Sequence, residues 1–277
     1  MSNTRPTEVD WRLWCTPVKN QGNCGSCTSF GTCGAWEARI KIKADVINMD
    51  IDLSERDLFF CAGGSCGQGS WPEAVLDRAV HGICLESCCP YHDLDQQCGV
   101  GRCDDWWVEG KRLQGYNHIQ DIEKMKDLIA EGPIPGTMAV HQSFFNYVSG
   151  VYHSLPDNDP IVGYHMIAVV GYSESRQAWL VKNSWGTGWG MSGYVWIAYG
   201  DSEIDNMMYE IILDGDIPPE PNPTPSPCPL GNGFAKFLNY SPVKFEEFAK
   251  IINPIPYLFQ RKGRFFFREG KYFYLNP

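Results

Sequence analysis

No stretch of the 277-residue chain approaches the roughly 18 consecutive apolar residues of a membrane-spanning helix. The first residues, Met1-Ser2-Asn3-Thr4-Arg5-Pro6, lack the apolar segment of a secretory leader. Excess positive charge is missing too. The formal net charge is −10 and the pI about 5.1, which argues against nucleic acid as a partner. Metal-site spacing is equally hard to find, so neither a metal nor a cofactor is expected. Cysteine is the exception to this scarcity. Twelve in a chain of this length point to an oxidising compartment, extracellular or lysosome-like. A mature region carrying an added Met reconciles the cysteine content with the start of the chain.

The rest of the sequence is organised around Gln21-Gly22-Asn23-Cys24-Gly25-Ser26-Cys27. Its glycines permit backbone conformations that larger residues resist. From Cys27 to about residue 44 the pattern is helical. Phe30, Gly34 and Ala38 share a stripe, Glu37, Lys41 and Lys43 lie elsewhere, and no proline interrupts. A thiol at a helix N-terminus feels the positive end of the dipole, which favours the nucleophilic thiolate. Cys24 and Cys27 are also spaced as half of a zinc site or as a redox pair, although neither a second Cys/His pair nor a β-α-β setting is evident.

The decamer resembles the nucleophile loop of papain-like cysteine peptidases, whose His and Asn partners lie roughly 130 to 150 residues downstream. His165, about 140 residues beyond Cys27, opens the apolar run Met166-Ile167-Ala168-Val169-Val170. Asn183 sits in Lys182-Asn183-Ser184-Trp185-Gly186-Thr187-Gly188-Trp189-Gly190, which resembles the family's asparagine motif. The resemblance implies Cys27 as nucleophile, His165 as its acid–base partner and Asn183 as the amide that orients the ring. It further implies that Gln21 joins the Cys27 N–H in an oxyanion hole. Trp185 would shield the Asn–His contact, Trp189 would line the leaving-group side, and Gly25 would support the loop. The family signature has Trp or Tyr after the nucleophile. Here Thr28 follows it, which alters a pocket wall but leaves the nucleophile, base and amide in place.

The implied fold is α+β with two lobes: a helical one over about 12–115 and an antiparallel, barrel-like one over about 116–215. The barrel strands are expected at 136–140, 150–153, 165–172, 177–182 and 193–198. Helices are expected after the Ser54 cap, from Pro72, and over 121–131 before Gly132-Pro133. By resemblance, Cys24 bonds Cys66, and Cys61 bonds into the cysteine-dense loop of Cys84, Cys88, Cys89, Cys98 and Cys103. That loop reads as disulfide-stapled rather than as a metal site around His92, and its pairing is not readable from sequence. Cys27 must stay free, so at least one further thiol is unpaired, with Cys33 a candidate. Gly69 would present backbone to an extended substrate, beside Ser70 and Trp71. Ala139, Gly163 and Tyr164 would complete a pocket for an apolar or aromatic P2 side chain.

Residues 216–229 read as a proline-rich linker. The remaining 230–277 read as a small basic, aromatic module with a helix over 241–252 and a hairpin over 264–275. It would either dock on the peptidase or attach to a cell wall, membrane or polyanion. An exopeptidase branch of the family carries a His-His pair in an insertion of this size. None occurs here, so the resemblance implies an endopeptidase, monomeric, acting on polypeptides and open to a propeptide or protein inhibitor. Transpeptidation through the same thiol, and a pseudo-enzyme that only binds, are the competing readings.

Overall fold

The computed structural model describes residues 5–213, except residue 156, together with two strands at 264–268 and 271–275. Helix α1, Cys27–Ala44, runs through the centre of the molecule. Every residue from Thr28 to Ala38 is buried. Glu37 and Lys41, which lie off the apolar stripe read from the sequence, are both buried, at 0% and 6% exposure. Glu37 is held there by a set of internal partners. Glu37 accepts from the backbone N–H of Leu53 (2.8 Å) and from Thr16 Oγ1, and Lys19 Nζ lies 3.5 Å away. The same Lys19 pairs with Glu55 at 2.7 Å and Asp52 at 2.5 Å. Buried charges persist when each is met by an opposite charge and hydrogen bonds.

Helix α2, Glu55–Cys61, begins where Ser54 accepts from the N–H of Asp57. Helix α3, Pro72–His81, has its proline in the first turn, where no N–H is needed. Helix α4, Ile122–Glu131, is capped by Asp121 accepting from Lys124 N. These helices alternate with strands β1 (Glu8–Asp10), β2 (Leu113–Ile119), β3 (Ile134–His141), β4 (Val151–Tyr152), β5 (Ile161–Ser173), β6 (Ala178–Lys182), β7 (Tyr194–Ala198) and β8 (Met208–Leu213). The sheet order is β2-β8-β3-β5-β6-β7-β4, with β1 beside β5. All pairs are antiparallel except β4 with β7, which is parallel. Strands β1, β2 and β8 were not anticipated. Each is short or carries polar residues outward, so no clear alternation marks it.

Strand β5 is buried on both faces, which is why its sequence is an unbroken apolar run rather than an alternation. Ile167 and Val169 enter the sheet's own core with Val181, Val195 and Ile197. Met166, Ala168 and Val170 face the other way, into a cluster with Ala35, Trp36, Leu58 and Leu76. Helix and sheet approach backbone to backbone at Gly31, where a Cβ would fall 2.9 Å from Ile167 N and 3.0 Å from Met166 C. Only glycine allows that approach. The helical side and the sheet side together make the two-lobed fold. Strands β9 (Arg264–Arg268) and β10 (Lys271–Leu275) pair antiparallel, with Arg268 opposite Lys271. The linker and the helix expected at 241–252 lie outside the described residues.

Candidate active site

Cys27 is the first residue of α1. Two features leave the amide dipole of that helix uncompensated. The first turn carries no acidic side chain, and Ser26, at the cap position, makes no capping bond. Its hydroxyl lies instead 2.7 Å from Tyr91 OH. The positive end of an 18-residue helix therefore acts on the thiol. Burial pushes the Cys27 thiol up, and the backbone N–H groups of Met166, Thr28 and Cys27 itself act against that rise. Met166 directly follows His165, so the helix–strand contact at Gly31 brings the sulfur and the ring into one neighbourhood.

His165 Nε2 lies 2.8 Å from Asn183 Oδ1, and the same oxygen accepts from Ser184 N at 2.8 Å. An amide oxygen only accepts, so Nε2 carries the proton and the neutral ring presents Nδ1 as its lone pair. His165 and Asn183 are 6% and 3% exposed. Burial pulls the imidazole down to about 4, and the Asn183 bond opposes that pull. Burial thus disfavours a lone thiolate and a lone imidazolium alike. Moving one proton from sulfur to ring creates both charges together, and their attraction offsets the loss of water.

Gln21 is fixed at both ends of its amide. Ser184 Oγ donates to its Oε1 (2.6 Å) and its Nε2 donates to Cys24 O (2.9 Å). Nε2 has two protons, so one remains for a ligand. Its backbone N–H is bound to Ser184 O at 2.9 Å. Residues 19–21 and 184–186 therefore run side by side, with Gly186 N donating to Lys19 O.

Papain family cysteine protease is the family whose sequence pattern matches residues 5–212. The chain belongs to the papain family of cysteine proteases. Cathepsin K of Gallus gallus is 35% identical over 208 residues, covering 71% of this chain and 60% of that protein. Digestive cysteine proteinase 1 of Homarus americanus is 40% identical over 207 residues, covering 69% of this chain and 62% of that protein. The chain thus spans about 60% of the length of these curated relatives. Among solved structures, digestive procathepsin L2 proteinase from Tenebrio molitor larval midgut superposes with a TM-score of 0.67 at 33% identity, over 76% of this chain and 70% of that one.

In this papain-family chain the loop that leads to Cys27 is stapled as a unit. Cys24 is bonded to Cys66, and Gly25 N donates to Cys66 O at 2.9 Å. A Cβ on Gly25 would stand 3.1 Å from Gly69 Cα, so these two backbones abut. Cys61 is bonded to Cys98, and Cys88 to Cys103. Cys27 and Cys33 are free thiols, as are Cys15, Cys84 and Cys89. Trp185 lies 5.0 Å from the His165 ring, centroid to centroid. Trp189 meets Trp185 edge-on at 5.1 Å and packs on Phe144 at 5.0 Å.

The expected pocket residues fall into two groups. Gly69, Ser70 and Trp71 lie in the turn before α3, partly exposed. The Gly69 N–H is committed to Ser65 O at 2.8 Å, and its carbonyl accepts from Ser65 N at 3.3 Å. Of its two backbone groups, only the second lone pair of that carbonyl remains for a substrate. Ala139 and Gly163 are buried on β3 and β5, where Ala139 pairs with Tyr164 and Val140 with Gly163. Tyr164 is partly exposed and donates to Glu203 at 3.3 Å. The segment 202–208, for which the sequence offers no placement, runs along β3. Ala139 N donates to Ser202 O at 2.7 Å and Thr137 N to Met207 O at 3.0 Å. Thr28 is 4% exposed and its hydroxyl has no partner.

Sequence reasoning misses three contributors. Ser184 holds both Gln21 and Asn183, and its place beside Asn183 was the available signal. Phe145 stacks on Trp185 at 5.2 Å, with planes 7° apart. Tyr91 donates to Gln21 O at 2.8 Å, and no local pattern announces it.

Proposed function

We propose that the chain is a thiol-dependent endopeptidase that cleaves peptide bonds through an acyl-enzyme on Cys27. The observation that carries the reading is the His165–Asn183 bond, with Ser184 N on the same oxygen, on a strand laid against the helix that begins at Cys27. Cys27 gives its proton to Nδ1 of His165 and attacks the scissile carbonyl as thiolate. The oxyanion forms where the second Gln21 Nε2 proton and the Cys27 N–H are available. The imidazolium then protonates the leaving amine, and water, deprotonated by the same nitrogen, releases the acyl group. Asn183 keeps the ring in the required tautomer throughout.

Small, buried Ala139 and Gly163 beside Tyr164 support an apolar or aromatic P2 preference. Three disulfides support an oxidising location, extracellular or lysosome-like. Polypeptides are the substrates, and a propeptide or protein inhibitor would bind at the same site of a monomer. The deciding experiment titrates the protein with an epoxide or iodoacetamide and follows hydrolysis of a peptide with an apolar P2 residue. Labelling at Cys27 should abolish turnover in proportion. A protein labelled at Cys27 that never hydrolyses peptides overturns the reading, and ligation to an added amine redirects it to transpeptidation.

A further inference from the structure

Two free thiols meet away from the nucleophile. Cys84 and Cys89 are both buried, and their sulfurs and a carboxylate oxygen of Asp57 lie within 4.8 Å of one another. Such a trio suggests a metal, but the carboxylate is already spent. Its Oδ1 accepts from Arg102 Nη1 at 2.9 Å, and its Oδ2 from Arg78 Nη2 at 3.3 Å and Cys84 N at 3.2 Å. Two guanidinium groups beside the oxygens repel a cation, and two sulfurs alone fall short of the four ligands of a structural zinc site. The chemistry left to the pair is that of a dithiol. The turn between them is already closed, with Cys88 N on Leu85 O at 3.0 Å and Cys89 N on Leu85 O and Glu86 O at 3.2 Å each.

We propose that Cys84 and Cys89 form a redox couple that closes a further disulfide across this turn and so tightens the loop that grips the nucleophile segment. The oxidant is a small-molecule disulfide of the glutathione class. Written from Cys89, the first step is attack of its thiolate on the reagent once the segment is open. A sulfur–sulfur bond forms to one half of the reagent, and the other half leaves as thiolate. Cys84 then loses its proton and attacks the Cys89 sulfur, which expels the second half. Two protons and two electrons pass from the protein to the reagent, which ends as two thiols. Both sulfurs are enclosed in the folded chain, so exchange accompanies folding or local opening.

The loop after Cys89 explains why the bond matters. Tyr91 OH donates to Gln21 O and faces Ser26 Oγ, so it touches both ends of the loop that leads to Cys27. Tyr91 N is itself held by Glu86 Oε1, inside the turn, at 2.6 Å. Asp93 Oδ2 accepts from Asn23 N at 3.3 Å, and Asp95 Oδ1 from Cys66 N at 2.6 Å. A covalent tie between residues 84 and 89 fixes the base of all three grips. The link to catalysis rests on the proposed function, whereas the bond itself does not.

The test folds the full chain in glutathione redox buffer, quenches with acid, alkylates with iodoacetamide in denaturant and cleaves after glutamate. Glu86 separates the two cysteines. The expected result is that the peptide ending at Glu86 is absent until reduction and is then recovered, while tandem mass spectrometry of the unreduced digest links Cys84 to Cys89. Release of that peptide alkylated at every glutathione ratio overturns the proposal, as does a Cys84–Cys88 link. Protection of both thiols by added zinc without a covalent link also overturns it, in favour of a metal site. Cys84→Ser should leave Cys89 alkylated and the other three bridges intact. Hydrogen exchange over 90–95 should slow about tenfold on oxidation, and equal exchange in the two forms refutes the tightening. None of these readouts requires peptidase activity.

Discussion

Replacing Asn183 with alanine isolates the contact on which the proposed chemistry turns. The substitution removes the acceptor 2.8 Å from His165 Nε2 and deprives Ser184 N of its partner. Both side chains are almost fully enclosed, so water does not refill the vacancy freely. A hydrogen bond to a group that becomes charged contributes about 1.5–3 kcal/mol. If that bond is at full strength when the ring is protonated, kcat/KM should fall about 10- to 150-fold. A second consequence follows from the titration. Burial pulls the imidazole down to about 4 even with the Asn183 bond opposing it, so the variant ring, without that bond, is harder to protonate. Thiolate that depends on a protonated ring should therefore be scarcer at mildly acidic pH. The assay is steady-state hydrolysis with parallel iodoacetamide rates from pH 5 to 9. The variant should lose alkylation at pH 6 by a larger factor than at pH 9, where hydroxide ionises the thiol unaided. A variant within threefold of wild type in kcat/KM, with an unchanged alkylation profile, refutes the reasoning.

Gly31→Ala places a Cβ 2.9 Å from Ile167 N and must push α1 off β5. A displacement near 1 Å at the reacting groups costs on the order of 100-fold in kcat, and activity at wild-type level with an unshifted helix would argue against the close approach. Lys19→Met leaves Glu55 and Glu37 without their cation. Removing one partner of a buried pair costs about 3–5 kcal/mol, which thermal unfolding should register as a drop of about 6–20 °C; a smaller drop would mean that water reaches the cluster. Burial pushes the Glu86 carboxyl up to about 7 from an ordinary 4.5. A raised acid pKa adds stability below pH 4.5 that is lost as pH rises through 7, here about 2 kcal/mol after discounting for its partial exposure. Urea midpoints for Glu86→Gln should therefore fall less steeply than wild type between pH 4.5 and 7.5, and parallel curves would contradict the assignment. Tyr91→Phe removes the hydroxyl between Gln21 O and Ser26 Oγ and should lower kcat about tenfold with KM little changed; a change confined to KM would assign Tyr91 to substrate contact instead.

Much of this was legible in the sequence because the relevant signals are local. A glycine-rich loop, an uninterrupted helical run and an apolar run after His165 each declare themselves within a dozen residues. The capping hydroxyl of Ser54 and the carboxylate of Asp121 likewise act three residues away, within reach of a pattern. What stayed hidden is set by partners distant in the chain. The burial of Glu37 depends on Thr16, Lys19 and Leu53. The grip of Tyr91 on Gln21 spans 70 residues. Strand β8 exists because β2 and β3 flank it, not because its own sequence alternates. The commitment of Gly69 N–H to Ser65 is a property of one turn's geometry that composition does not encode.

The contact at Gly31 also sets where the chain tolerates changes of length. Cys27 lies four residues before Gly31, about one helical turn, so the thiol and the point of closest approach share a face of α1. One inserted residue between them would swing the sulfur about 100° around the axis and away from β5. An exposed turn such as 46–50 can lengthen or shorten without touching that phase. The interval from 27 to 31 cannot, and it works as a ruler that measures the distance between a helix start and a strand.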